Sequence, residues 1–169
     1  AYEVYMGDWS SDVCSSDPHL NISAGLGLLD ASFDRFLDQY GVDLKGNDLP
    51  FAPSISASLA TEYSWSINSA VGAFVRVEGA YRDRTYPDVQ NDPRNQLESY
   101  TLLNARAGLR LGDGWTLEAY ARNLTDELYA VNRTTQRPLL SFLPPFAYDE
   151  TTSTFGAPRT YGIKLTTRF

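Results

Sequence analysis

From Tyr161 to Phe169 apolar and polar residues alternate almost without a break. Tyr161, Ile163, Leu165 and Phe169 share one parity, and Gly162, Lys164, Thr166 and Arg168 share the other. Period two predicts a strand with one apolar face. Earlier windows repeat the pattern. Leu20, Ile22, Ala24, Leu26 and Leu28 alternate with small or polar residues up to about residue 31, and Ile55, Ala57, Leu59, Tyr63 and Trp65 do so within 51–65. Val71, Ala73, Val75, Val77 and Tyr81 oppose Arg76, Glu78 and Arg82 over 70–84, and Leu103, Ala105, Ala107, Leu109 and Leu111 oppose Asn104, Arg106 and Arg110 over 97–111. Leu117, Ala119 and Ala121 oppose Glu118, Tyr120 and Arg122 from Trp115 onward, and the last strand runs over 157–169.

The connections carry a second pattern. Residues 33–50, 85–96 and 130–156 are long and rich in Asp, Asn, Gly and Pro, whereas 66–69 and 112–114 are tight turns. Six antiparallel up-and-down strands joined long, short, long, short, long match a transmembrane barrel, with short turns on one side and long loops on the other. A strand of about 13 residues is about 43 Å long and, tilted by about 45°, crosses the roughly 30 Å hydrocarbon core of a bilayer.

The aromatic residues separate a membrane barrel from a soluble one. Tyr63, Trp65, Trp115 and Phe169 lie at the short-turn end of the apolar face. Phe51, Tyr81, Tyr129 and Tyr161 share its parity at the long-loop end. Two aromatic belts around an Ala/Val/Leu/Ile band are the signature of two lipid interfaces. The opposite face carries Arg76, Glu78, Arg106, Arg110, Glu118, Arg122 and Lys164, which suits a wide, wet lumen. With Leu111 opposite Trp115, Glu118 faces Gly108 and lies diagonal to Arg106 and Arg110, within reach of long side chains.

Composition then excludes classes. The net charge of −7 removes the basic footprint that a nucleic-acid partner needs. One Cys and one His leave no intrachain disulfide and no Cys/His metal cluster, so no cofactor is expected. His19 reads as a strand residue facing the lumen, and no catalytic constellation stands out. Gly25 and Gly27 lack the third glycine of a dinucleotide fingerprint. The carboxylates of 34–48 and 148–150 read as solvated loop residues.

Residues 1–17 are polar, without a sustained period, and hold the only Cys. The run Asp8 to Asp17 resembles one reading frame of a common short-read sequencing adapter. The segment is set aside as non-native or disordered, and 18–169 is taken as the barrel portion. No secretion signal opens the chain, so the native start is expected upstream.

Three motifs in order resemble TonB-dependent outer-membrane receptors. Asn123-Leu124-Thr125-Asp126-Glu127-Leu128-Tyr129 is similar to the motif after their penultimate strand. Gly46 to Pro53 is similar to one of their loop-to-strand junctions. Phe155 to Tyr161, leading to Phe169, is similar to their last strand. The resemblance implies the carboxy-terminal six-strand portion of a barrel of about 22 strands with a plugged lumen, located in the outer membrane of a Gram-negative bacterium and in contact with its lipid. It implies transport of a scarce ligand such as a ferric siderophore, with cobalamin and oligosaccharide also open, and coupling to TonB through a plug part absent here. It implies no enzyme activity. In isolation the portion is expected to be an open, curved, aggregation-prone sheet. Two other readings stay open: an outer-membrane barrel of another class, enzyme or passive porin, and a soluble ligand-binding β-barrel.

The resemblance also implies that Tyr161, Ile163, Leu165 and Phe169 form the signal read by the barrel-assembly machinery. Deleting Phe169 from a receptor that carries this terminus is expected to lower its outer-membrane level several-fold, read by surface labelling. Unchanged surface level would overturn the assignment.

Overall fold

A computed structural model describes the backbone of residues 5–13 and all atoms of residues 17, 19–112, 114–136 and 149–167. Phe169 and Arg168 lie outside the described residues. Among those described, nine strands form: β1 (Tyr5–Val13), β2 (Leu20–Asp30), β3 (Ile55–Asn68), β4 (Val71–Arg82), β5 (Tyr100–Leu111), β6 (Trp115–Arg122), β7 (Ala130–Gln136), β8 (Glu150–Phe155) and β9 (Thr160–Thr167). Seven make one sheet in the order β1-β2-β3-β4-β5-β6-β9, each neighbour antiparallel, and β7 and β8 make a separate two-stranded ribbon.

The sheet has one strand more than the six expected. Tyr5–Val13, set aside by composition, lies along β2 from Tyr5 opposite Asp30 to Val13 opposite Ile22. The ladder bonds are backbone to backbone, so a segment can complete the unpaired edge of β2 without an alternating pattern of its own. The ribbon β7–β8 likewise rises from what reads as loop, because a Thr-rich hairpin has no apolar face to mark it.

Boundaries also moved, for local reasons. β3 starts at Ile55 rather than near Phe51: Phe51 is at φ 58 and Pro53 has no N–H to give a ladder. Leu97 joins Thr85 in an isolated bridge instead of opening β5. Pro158 delays β9 to Thr160.

Register aligns the apolar positions across the sheet. One rung reads Tyr63, Val75, Ala107, Ala119, Ile163, and another reads Trp65, Ala73, Leu109, Leu117, Leu165. Nothing among the described residues covers this face. Tyr161, Ile163 and Leu165 are 82%, 77% and 61% exposed, and Leu59, Val77 and Trp115 also stand open. The buried apolar residues are few and scattered: Leu44, Ala73, Phe74 and Leu97. The sheet is therefore a single layer without a core of its own.

The long-loop side is built rather than loose. Loops 31–53 and 83–99 are knitted by polar contacts. The Asn91 side chain accepts from Asp48 N–H at 2.6 Å and donates to Asp48 C=O at 3.0 Å, Asn47 donates to Val89 C=O, and Phe51 N–H donates to Tyr86 C=O. A 3-10 turn, Pro93–Asn95, is capped by the Asp92 carboxylate, and Arg133 of β7 donates to Gln96 C=O nearby.

Asn123 closes the other long connection. It is 4% exposed and sits at φ 50, a left-handed conformation that Asn tolerates. Its Oδ1 accepts from Glu127 N–H at 2.8 Å, its Nδ2 donates to Glu127 C=O and Ala157 C=O, and its own N–H donates to Asn104 Oδ1. One side chain thus ties the turn after β6 to the approach to β9. The positive φ of Asn123 and of Asp126 also breaks the alternation. Parity therefore fails for Tyr129, expected on the apolar face. Its ring packs 4.4 Å from that of Tyr100, across the Gly156 backbone, and Tyr100 pairs with Arg82 at the end of the charged face.

Asn123→Ala strands buried partners and strains the backbone, so it is expected to cost about 2–4 kcal/mol in urea unfolding in detergent micelles. Asn123→Gly relieves the strain alone and should recover only a part. Wild-type stability of the alanine variant would refute the clasp.

Candidate functional site

The charged face is built by two adjacent rungs. One runs Glu62, Arg76, Arg106, Tyr120, Gly162, and the other runs Ser64, Phe74, Gly108, Glu118, Lys164. Glycines shape it. A Cβ on Gly108 would meet the Phe74 ring at 2.7 Å, and one on Gly162 would meet the Tyr120 hydroxyl at 2.7 Å. The two aromatic rings therefore lie flat over the neighbouring strand, in space that only glycine leaves free. Arg110 sits 4.5 Å above the Phe74 ring and Arg122 sits 5.4 Å from that of Tyr120, both within cation–π range.

Arg76 and Arg106 stand directly opposite each other, an unfavourable pairing of like charges. Carboxylates interleave to offset it. Arg110 meets Glu62 at 2.8 Å, Glu62 meets Arg76 at 3.7 Å, Arg76 meets Glu78 at 2.5 Å, Glu78 meets Arg106 at 3.5 Å, and Arg106 meets Glu118 at 4.0 Å. This is one chain of alternating sign across four strands. It borders an open groove of about 420 Å³ lined by Glu78, Arg106, Glu118, Tyr120, Arg122 and Lys164.

All seven charged residues singled out by the alternation share this face. Five join the chain, whereas Arg122 and Lys164 have no carboxylate within 4.0 Å among the described residues. The aromatics Tyr63, Trp65, Tyr81, Trp115 and Tyr161 share the opposite face, with the Tyr63 and Trp65 rings stacked at 5.7 Å. Sequence reading left Phe74 and Tyr120 without a role. The signal was present in register: each stands opposite a glycine, a pairing visible once the hairpins are aligned.

The face offers fixed charges and flat rings. No group of three His, Cys, Asp or Glu able to hold a metal occurs among the described residues. His19 stands just before β2 with its ring nitrogen 3.0 Å from the Asp17 carboxylate. In the loops, Arg94 bridges Asp92 and Asp149. The Arg94 side chain, and then its backbone N–H, hold the Asp92 carboxyl below the usual carboxylate range.

The sheet matches known folds. It overlays the ferric preacinetobactin receptor BauA of Acinetobacter baumannii with a TM-score of 0.71 at 20% identity, over 94% of this chain and 21% of that one. It overlays the ferric yersiniabactin uptake receptor FyuA of Yersinia pestis with a TM-score of 0.70 at 16% identity, over 89% of this chain and 21% of that one. A third match is the siderophore receptor PiuA of Acinetobacter baumannii, with a TM-score of 0.63 at 21% identity over 94% and 20%. The chain spans about one fifth of the length of these structures. The family model described as TonB dependent receptor-like, beta-barrel matches residues 2–124, which includes β1 and stops short of β7 to β9. A single-layer antiparallel sheet, apolar on one face and charged on the other, is thus joined to a match over most of the chain: the protein belongs to the TonB-dependent receptor β-barrel family.

Proposed function

We propose that this chain is a wall segment of an outer-membrane receptor that imports a ferric chelate, its apolar face in lipid and its charged face lining the lumen. One observation carries the reading: six hydrogen-bonded strands, β2 to β6 and β9, present an uncovered apolar face backed by a polar and charged one. In water such a face is a large unfavourable surface; against lipid tails it is at home. The ferric-chelate ligand rests on the names of the structures it resembles, which receive preacinetobactin and yersiniabactin. TonB would engage a part of the receptor outside this chain, and the assembly machinery would read β9.

The aromatic belts agree with a tilted wall. Tyr161 shares a rung with Val77, next to the rung of Tyr63, so register alone does not separate the belts. Four strand steps of about 4.8 Å, tilted by about 40°, lift β9 by roughly 12 Å relative to β3. The ladder ends support that direction. β6–β9 ends at Arg122 and Thr160, one residue past the Val77 rung, whereas β4–β5 continues to Arg82 and Tyr100. With the loop ends level, Tyr161 rises toward Tyr81.

Val75→Arg or Leu109→Arg is expected to cost about 2–4 kcal/mol in urea unfolding from lipid vesicles, and Ser58→Arg on the other face under about 1 kcal/mol. Equal stability of the three variants would contradict the lipid-facing assignment. For transport, the receptor gene recovered from the source locus should support ferric-siderophore uptake in an iron-limited host and lose it when the host lacks TonB. Uptake that persists without TonB would remove the energy-coupled reading and favour a passive pore.

A further inference from the structure

The charges on the lumen-side face do not balance. Between β3 and β9 it carries the cations Arg76, Arg82, Arg106, Arg110, Arg122 and Lys164 against the carboxylates Glu62, Glu78 and Glu118. Glu62 and Glu78 are held in the ion-pair chain by Arg76, Arg106 and Arg110, and Glu118 stands 4.0 Å from Arg106 and directly opposite Lys164 on the neighbouring strand, so three carboxylates are shared among six cations. Arg82 donates to Phe51 C=O. The surplus is therefore local: Arg122 and Lys164, at the β6–β9 end of the groove.

The surroundings of that end are shaped. The Tyr120 ring lies across Gly162 and forms the floor, with the Arg122 guanidinium over it. Arg106 makes only long contacts, 3.5 Å to Glu78 and 4.0 Å to Glu118, and its Nε has no partner among the described residues. Arg106, Arg122 and Lys164 thus line the same groove as Tyr120, with only Glu78 and Glu118 as carboxylates beside them. A planar guanidinium beside an ammonium suits a carboxylate, which accepts two parallel bonds from the first and a point charge from the second.

We propose that this end of the groove is a carboxylate subsite, with Arg122 and Lys164 as charge partners and Tyr120 as the floor. The proposal rests on the charged face being a wet lumen. The carboxylate can belong to the imported chelate or to an acidic side chain from another part of the receptor.

The chain holds two lysines, Lys45 in an exposed loop and Lys164 in the groove. Each therefore serves as the other's control. The receptor that carries this wall segment, in non-ionic detergent micelles, is acetylated with a limiting amine reagent, with citrate or with sodium chloride of equal ionic strength, and the peptides holding Lys45 and Lys164 are quantified by mass spectrometry. Citrate at about four times its dissociation constant is expected to slow Lys164 about fivefold and to leave Lys45 unchanged. Arg122→Gln should abolish that protection while leaving Lys164 reactive.

Equal slowing of both lysines, or protection that survives Arg122→Gln, would overturn the subsite. A Lys164 that is unreactive even without citrate would instead overturn the wet-lumen reading, and the subsite with it. Protection by ferric citrate at lower concentration than by citrate assigns the subsite to the chelate. Equal protection assigns it to a carboxylate side chain.

Discussion

A single-layer sheet has no interior, and that constraint governs everything else in this molecule. The backbone ladders satisfy the N–H and C=O groups of the inner strands, but no second layer exists to take up the apolar side chains. The face bearing Leu59, Val77, Leu117 and Ile163 is stable only where its solvent is itself apolar. Every substitution pattern in the strands follows from that division. Most odd positions of β3 to β6 and β9 are aliphatic or aromatic, Thr61, Gly79, Thr101 and Thr167 being the exceptions, as a lipid-facing side would require. Even positions carry the charges, as a wetted side allows.

The charged face faces a different difficulty. Cations placed on neighbouring strands at matching heights repel, as Arg76 and Arg106 do. Interleaved glutamates convert the repulsion into a chain of alternating sign, and the flat Phe74 and Tyr120 rings brace the guanidinium groups from below. Each exposed pair in such a chain is worth little by itself. The effect is positional: side chains with many rotamers are held in few, and Arg122 and Lys164 stand outside the chain at its β6–β9 end.

The strand cores were legible because period two is set by strand geometry and one face of the sheet is consistently apolar. The pairing of Leu111 with Trp115 and of Gly108 with Glu118 followed from the short turn between them. What stayed hidden had no pattern to read. β1 lies along β2 on a backbone ladder that needs no alternation, and β7 and β8 are mostly polar. Parity misled for Tyr129 because two positive-φ residues, Asn123 and Asp126, reset the count. Of the charged face, membership was legible and arrangement was not. Which cations are paired depends on heights and reaches across four strands, and alternation along one strand contains neither.

The edges complete the physical picture. β1 and β9 each have a neighbour on one side only among the described residues. An unpaired backbone group in hydrocarbon costs several kcal/mol, and a strand offers one every second residue along its free edge. The apolar face draws this sheet toward lipid while its two edges forbid it to sit there alone. Both demands are met together only when further strands join β1 and β9 into a closed wall, which also encloses the charged face in a lumen. Closure, lipid contact and a wet interior are therefore one condition, and the alternation along the strands is its imprint on the sequence.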